Sequence, residues 1–124
     1  MDTHLFVRFP YASPVDLSGA EWLVLDPQVP AGQRTATQML VILHEQDGGD
    51  FIASTGRSLS AAGPDRVFVS LNQFQLAGWS KDADGRLDLT RVGEIRVGWG
   101  GYFGREGEQV QFTLSPPQIG ARRP

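Results

Sequence analysis

Three aromatic side chains are candidates for stacking on a flat ligand. Trp79 lies in a polar stretch, Trp99 closes an apolar run and abuts Gly100-Gly101, and Tyr102 follows directly. Glycines beside aromatic rings leave room for a flat ligand, and an open ring face attracts C–H-rich surfaces. Glu94 and Arg96 are two residues apart, so on an extended chain they share a face and can line a cleft beside Gly98. Each feature also has a plainer reading. Trp79 can fold back over a sheet edge, and Trp99 can continue the apolar face of Ile95 and Val97. Glu94 and Arg96 can form a solvated outer face, with pairing worth at most about 1 kcal/mol. Of Tyr102 and Phe103, both at a loop tip, at least one is expected to pack inward. Trp22, mid-strand, reads as core.

Other chemistries find less support. The histidines are His4 and His44, and His44-Glu45 continues as Gln46-Asp47-Gly48, which is not the metal-binding H-E-x-x-H. Asp82, Asp84 and Asp88 surround Gly85 in KDADGRLD, partly imitating a calcium loop, but the closing glutamate is missing and a plain turn explains the stretch. There is no G-x-S-x-G nucleophile elbow, and residues 98–107 lack G-x-G-x-x-G. Glu45, Asp47, Asp50 and Glu94 are the reasonable members of an acid–base pair. Asp47 is explained by a hairpin turn, and so small a domain leaves little wall for a catalytic cleft. The expectation is therefore no catalytic residue, no metal site and no cofactor.

Composition bounds the remaining classes. The chain has 124 residues, 40% hydrophobic and 20% charged, which suits one domain with a real core. A net charge of -3 argues against a nucleic-acid binder, and no run of like charge suggests a membrane surface. No apolar stretch approaches the roughly 20 residues of a membrane-spanning helix, and MDTHLFVRF lacks the pattern of a signal peptide. With no cysteine, disulfides and thiolate metal sites are excluded.

The elements that must position these residues are short strands. Met39 to Leu43 is apolar throughout, as in a strand buried on both faces. Asp47-Gly48-Gly49 is a turn signal, and Asp50 to Ser54 returns as the partner strand. Before this hairpin, Thr3–Phe9 reads as a strand ended by Pro10 and Pro14, and Glu21–Asp26 as a second. After it, Arg66–Leu71 alternates with Val67, Val69 and Leu71 inward. Val92–Trp99 places Ile95, Val97 and Trp99 opposite Glu94, Arg96 and Gly98, and Gln109–Leu114 closes the domain. About seven strands with turns between them predict an all-β, antiparallel β-sandwich of jelly-roll type over residues 1–114, with 115–124 as a linker-like tail.

The order of motifs carries a resemblance. Asp16-Leu17-Ser18-Gly19 leads into an apolar strand; a strand ending in Glu45 is followed by Asp47-Gly48 and Phe51; then come VFVSL, Phe74, Gly85-Arg86-Leu87-Asp88-Leu89, Val92 and Ile95. This order resembles the galactose-binding-like jelly rolls, among them the carbohydrate-binding modules appended to glycoside hydrolases. It spans about Leu5 to Leu114. The same layout also resembles intracellular assembly domains of similar topology. The resemblance to the sugar binders implies a ligand on a concave sheet face or its rim loops, with rings stacked on sugar and Arg, Asp, Glu and Gln bonding hydroxyls. It implies a polysaccharide or oligosaccharide partner, a parent glycoside hydrolase and an extracellular or periplasmic setting. Many such domains hold a structural calcium ion, for which no full ligand set is matched here. Trp79, Trp99, Tyr102, Glu94 and Arg96 are the expected ligand-binding residues. A structural accessory domain without its own sugar site and a small carbohydrate-active enzyme are the alternatives.

Overall fold

The computed structural model describes residues 3–33, 38–46, 48–60, 63–64, 66–77, 89–101, 112–114 and 116–121. The strands are β1 (Thr3–Val15), β2 (Ala20–Leu25), β3 (Pro27–Val29), β4 (Gln38–Glu45), β5 (Asp50–Ser58), β6 (Gly63–Pro64), β7 (Val67–Ser70), β8 (Gln75–Leu76), β9 (Val92–Gly101), β10 (Thr113–Leu114) and β11 (Gln118–Ala121). Short 3-10 turns cover Leu71–Gln73 and Leu89–Arg91. One layer is a five-stranded sheet in the order β1-β9-β4-β5-β8. The other is built from the three-stranded ladders β11-β2-β7 and β10-β3-β6. All the pairings are antiparallel. This is the expected antiparallel jelly-roll sandwich.

The β4–β5 hairpin is central, as the double-sided apolar run requires. Val41, Ile42 and Leu43 are all buried, although Ile42 points to the opposite face from its two neighbours. Gly48 closes the turn at φ 100°, a conformation that costs a side-chain-bearing residue dearly. The N–H of Gly48 bonds the Glu45 carbonyl at 3.0 Å. Between the layers, Leu23 and Leu25 of β2, Met39, Val41 and Leu43 of β4, Phe51 of β5, Val69 of β7 and Ile95 and Val97 of β9 form one core.

The two ladders of the second layer are really one ribbon of three chain segments. Leu25 pairs with Val67 and Gln28 with Pro64, one constant register that sets Asp26 opposite Arg66 between the ladders. Arg66 Nε donates to Asp26 Oδ1 there at 2.8 Å, so an ion pair bridges the interruption. Ser70 then stops β7 with a capping box: its hydroxyl accepts from the Asn72 N–H, and the Gln73 side chain accepts from the Ser70 N–H.

Four sequence expectations are corrected. Proline does not end β1, which runs through Pro10 and Pro14 to Val15 with a register shift after Pro10. Among the described residues it is an edge strand that pairs with β9 alone, so a missing N–H can face away from the ladder. Trp22 is not core: Leu23 and Leu25 take the inner face of β2, and alternation turns Trp22 outward, 38% exposed. Pro27–Val29, expected in a polar connection, is the short strand β3. Within the stretch expected to be a linker-like tail, Gln118–Ala121 forms β11 and pairs along β2.

Truncating the centre of this core should be costly. Leu43→Ala is expected to lower stability by about 2–5 kcal/mol, because a fully buried site in a central strand collapses poorly around a cavity. The melting temperature should fall by roughly 10 °C or more; thermal unfolding followed by circular dichroism measures it.

Candidate functional site

Register places a band of charged and apolar side chains on the face of the five-stranded sheet that looks away from the core. Across four strands one row runs Pro10, Glu94, His44, Asp50. The next runs Arg8, Arg96, Ile42, Ile52 and reaches Gln75 on β8. A third runs Phe6, Gly98, Leu40, Ser54. The period of two in each strand makes this assembly possible: every inward residue of β4 and β9 leaves its neighbours on this face.

Arg8 and Arg96 are direct cross-strand partners of like charge, an arrangement that is destabilising by itself. Glu94 resolves it from the diagonal position. Arg8 Nε donates to both Glu94 carboxylate oxygens at 3.1 Å, and Arg96 Nε donates to Oε2. The Arg96 guanidinium also reaches Asp50 Oδ2 at 3.7 Å, two strands away, so it must lie over β4. Asp50 in turn meets His44 Nδ1 at 2.6 Å. Five ionisable side chains thus form one chain of contacts from the sheet edge inward.

Burial makes this network more than surface decoration. Glu94 is 7% exposed and Asp50 is also buried, while the Arg8 side chain stays 64% exposed. Burial pushes the Glu94 carboxyl upward, but hydrogen bonds from Arg96 and Arg8, with their charges, outweigh it and hold it below the usual glutamate range. Glu94 is a fixed carboxylate acceptor whose position is set by two guanidinium groups. On the same face, one or two rows away, lie apolar side chains of Phe6, Leu40 and Ile52, which makes the face amphipathic.

The structure brings Glu94 and Arg96 together, as expected. It places Trp99 elsewhere: by strand alternation its ring belongs with Ile95 and Val97, packed against the core on the opposite face. Alternation sets Trp99 on that face in the sequence as well, and its packing here favours the core reading over a ligand-stacking ring. The indole Nε1 of Trp99 is buried with no hydrogen-bond partner among the described residues. Trp79, Tyr102 and the Asp82–Asp88 turn lie outside the described residues. Among the described residues no group of three or more His, Asp or Glu could hold a metal ion, and no helix is long and apolar enough to cross a membrane. Arg8, His44, Asp50, Ile42 and Ile52 were not singled out as ligand contacts from sequence. The outward parity of Arg8 was readable, but not its partner 86 residues away.

No family model matches the chain, and no curated protein matches it in sequence. Its fold is shared with solved structures. One is the family 11 carbohydrate-binding module of the cellulosomal cellulase Lic26A-Cel5E of Clostridium thermocellum, with a TM-score of 0.67 at 10% identity over 96% of this chain and 68% of that one. Another is a family 11 carbohydrate-binding module from the same organism in complex with a β-1,3-1,4-mixed-linked tetrasaccharide, with a TM-score of 0.65 at 11% identity over 95% and 68%.

The network predicts a graded mutational response. Arg96→Ala should destabilise by roughly 2–3 kcal/mol, since it leaves Glu94 and Asp50 buried with weakened compensation. Arg8→Ala should cost no more than about 1 kcal/mol. Because the folded-state value of Glu94 is depressed, its contribution is complete above the unfolded glutamate range near about 4.3 and is lost as pH falls through the folded value. Wild type should therefore exceed Glu94→Gln in stability at pH 7, with the gap closing below about pH 4. Urea unfolding of both proteins from pH 3 to 8 checks this.

Proposed function

We propose that this chain is a non-catalytic carbohydrate-binding module that holds a polysaccharide chain on the Arg8–Glu94–Arg96 face of its five-stranded sheet. The observation that carries the reading is the buried Glu94 carboxylate held between two arginines, with apolar side chains beside it. A pyranose offers C–H-rich faces and hydroxyls that need partners once desolvated, and this face offers both complements. The donors and acceptors are already fixed by one another, so little ordering cost falls on binding. The fold shared with carbohydrate-binding modules, one of them in complex with an oligosaccharide, supports the same reading.

The charges also indicate the kind of glycan. Two arginines are balanced by Glu94 and Asp50, so the band carries no excess cation for a polyuronate or sulfated chain. A neutral glycan suits it. Trp79, a little beyond β8, and Tyr102, immediately after β9, supply the stacking rings in this proposal. The module acts outside the cell as part of a larger glycoside hydrolase.

Catalysis is not part of the reading. A glycosidase needs a general acid whose carboxyl is raised so that it keeps its proton near neutrality. Glu94 is shifted in the other direction. Asp50 is occupied by His44 and Arg96.

Isothermal titration with the β-1,3-1,4-mixed-linked tetrasaccharide tests the site. Arg8→Ala should weaken binding about tenfold while leaving the melting temperature nearly unchanged, since its side chain is mostly in solvent. Trp79→Ala and Tyr102→Ala should each weaken it by a similar factor, as expected for a lost stacking ring. Trp99→Ala should instead lower the melting temperature. No reducing ends should be released from any polysaccharide. A wild-type protein that holds no glycan would hand the reading to a structural accessory domain.

A further inference from the structure

The second layer carries an aromatic feature that the first face does not use. On its outer side, the row Gly120, Trp22, Ser70 lies beside the row Gln118, Val24, Phe68. Phe68 is 57% exposed. Trp22 meets it edge to face, ring centroids 6.4 Å apart and planes at 85°. Val24 beneath them is buried, so the rings stand on a packed floor. Neither ring contributes to the core, where Leu23 and Val69 already fill the inner faces of the same strands. A groove of about 580 Å³ runs on from Phe68, with Thr55 and Ser58 of β5 and Arg66 along it.

We propose that Trp22 and Phe68 form a second glycan subsite, on the sheet opposite the Arg8–Glu94–Arg96 face, taking one sugar ring of a soluble neutral chain. It shares its ligand class with the function proposed above and none of its residues. Two rings at nearly a right angle make a corner. A corner accepts a single pyranose, one ring against its C–H face and the other against its rim, whereas a flat crystalline surface would need coplanar rings. Thr55 and Ser58 line the groove on the β5 side of Phe68, their hydroxyls bonded to the Met39 carbonyl and to Ser60, and Gln118 lies opposite Val24, where its exposed amide suits sugar hydroxyls. Two arginines line the groove: Arg66 is paired with Asp26, and Arg57 is buried and donates to the Gly63 carbonyl, so neither draws the corner toward an acidic chain.

Size argues against a protein occupant. Two aromatic side chains offer at most about 300–500 Å² between them, while a stable interface needs roughly 800 Å² on each partner. The neighbouring outward positions of these strands are Ser70, Arg66, Asp26 and Gln118, which do not extend the apolar area. A second copy of this chain would find too little here to bury.

The test is one titration read at two places. Nitrogen-15-labelled protein is titrated with the β-1,3-1,4-mixed-linked tetrasaccharide, following the indole N–H of Trp22, assigned through Trp22→Phe, and the guanidinium Nε–H of Arg96. The expected result is a saturable shift of the Trp22 signal that persists unchanged in Arg8→Ala. In Phe68→Ala its apparent Kd should rise about tenfold, and in Phe68→Tyr, which keeps the ring, it should be retained. Phe68 is largely in solvent, so these variants should melt like wild type. A Trp22 signal that stays still while Arg96 responds overturns this subsite and leaves the first face standing. A response of Trp22 alone keeps the subsite and overturns the first face. A Trp22 shift that follows protein concentration without sugar overturns the proposal in favour of self-association.

Discussion

The structure depends on a strand that must be dry on both sides. β4 runs through the middle of the larger sheet, with Val41 and Leu43 in the core and Ile42 only 2% exposed on the other face. An apolar residue so covered on a face otherwise occupied by Glu94, Arg96, His44 and Asp50 sets a condition for those charges. They must lie down over the strand and satisfy one another, since an isolated ion near a dry surface would be strongly disfavoured. The reach of Arg96 across β4 to Asp50 is the visible form of that condition.

Such a network contributes modestly to stability and strongly to geometry. Desolvating a carboxylate costs several kcal/mol, and two guanidinium partners return about as much. What remains is position: Glu94 is held from two sides and Arg96 contacts two carboxylates. A ligand meeting this face finds donors and acceptors already aimed, with few rotamers left to freeze. The opposite layer behaves differently. There Trp22 and Phe68 meet edge to face over Val24, an aromatic patch beside the Arg66–Asp26 ion pair.

Much of the fold was legible because strand alternation is a local signal. The β4–β5 hairpin, the inward Val67, Val69 and Leu71, and the shared face of Glu94 and Arg96 all follow from period-two patterning and one glycine turn. Alternation also aligned Trp99 with Ile95 and Val97, and the structure keeps it there. It could not say which side of β2 was the core, and so Trp22 was misjudged. Nor could it show that β1 is an edge strand, the fact that lets it continue past two prolines. The site was legible only in half, because Glu94 and Arg96 are neighbours in sequence while Arg8, His44 and Asp50 join them through pairings between distant segments. Thr113–Leu114 lies within the strand expected over Gln109–Leu114, but Gln118–Ala121 does not announce itself and becomes a strand because β2 offers a ladder.

The pairing of β1 with β9 carries a further consequence, for how the chain is made. Among the described strands β1 waits longest for a first neighbour, since Arg8 and Glu94 are 86 residues apart. At about 5–20 residues per second, β1 waits roughly 4 to 17 s before β9 has been synthesised. During that interval it is an orphan ribbon, rich in β-forming residues and open to pairing with other nascent chains. Pro10 and Pro14, which look like blemishes in the finished sheet, interrupt the hydrogen-bonding rows that such a mispairing would use. On this account they are guards on the delay, placed where the completed edge tolerates them.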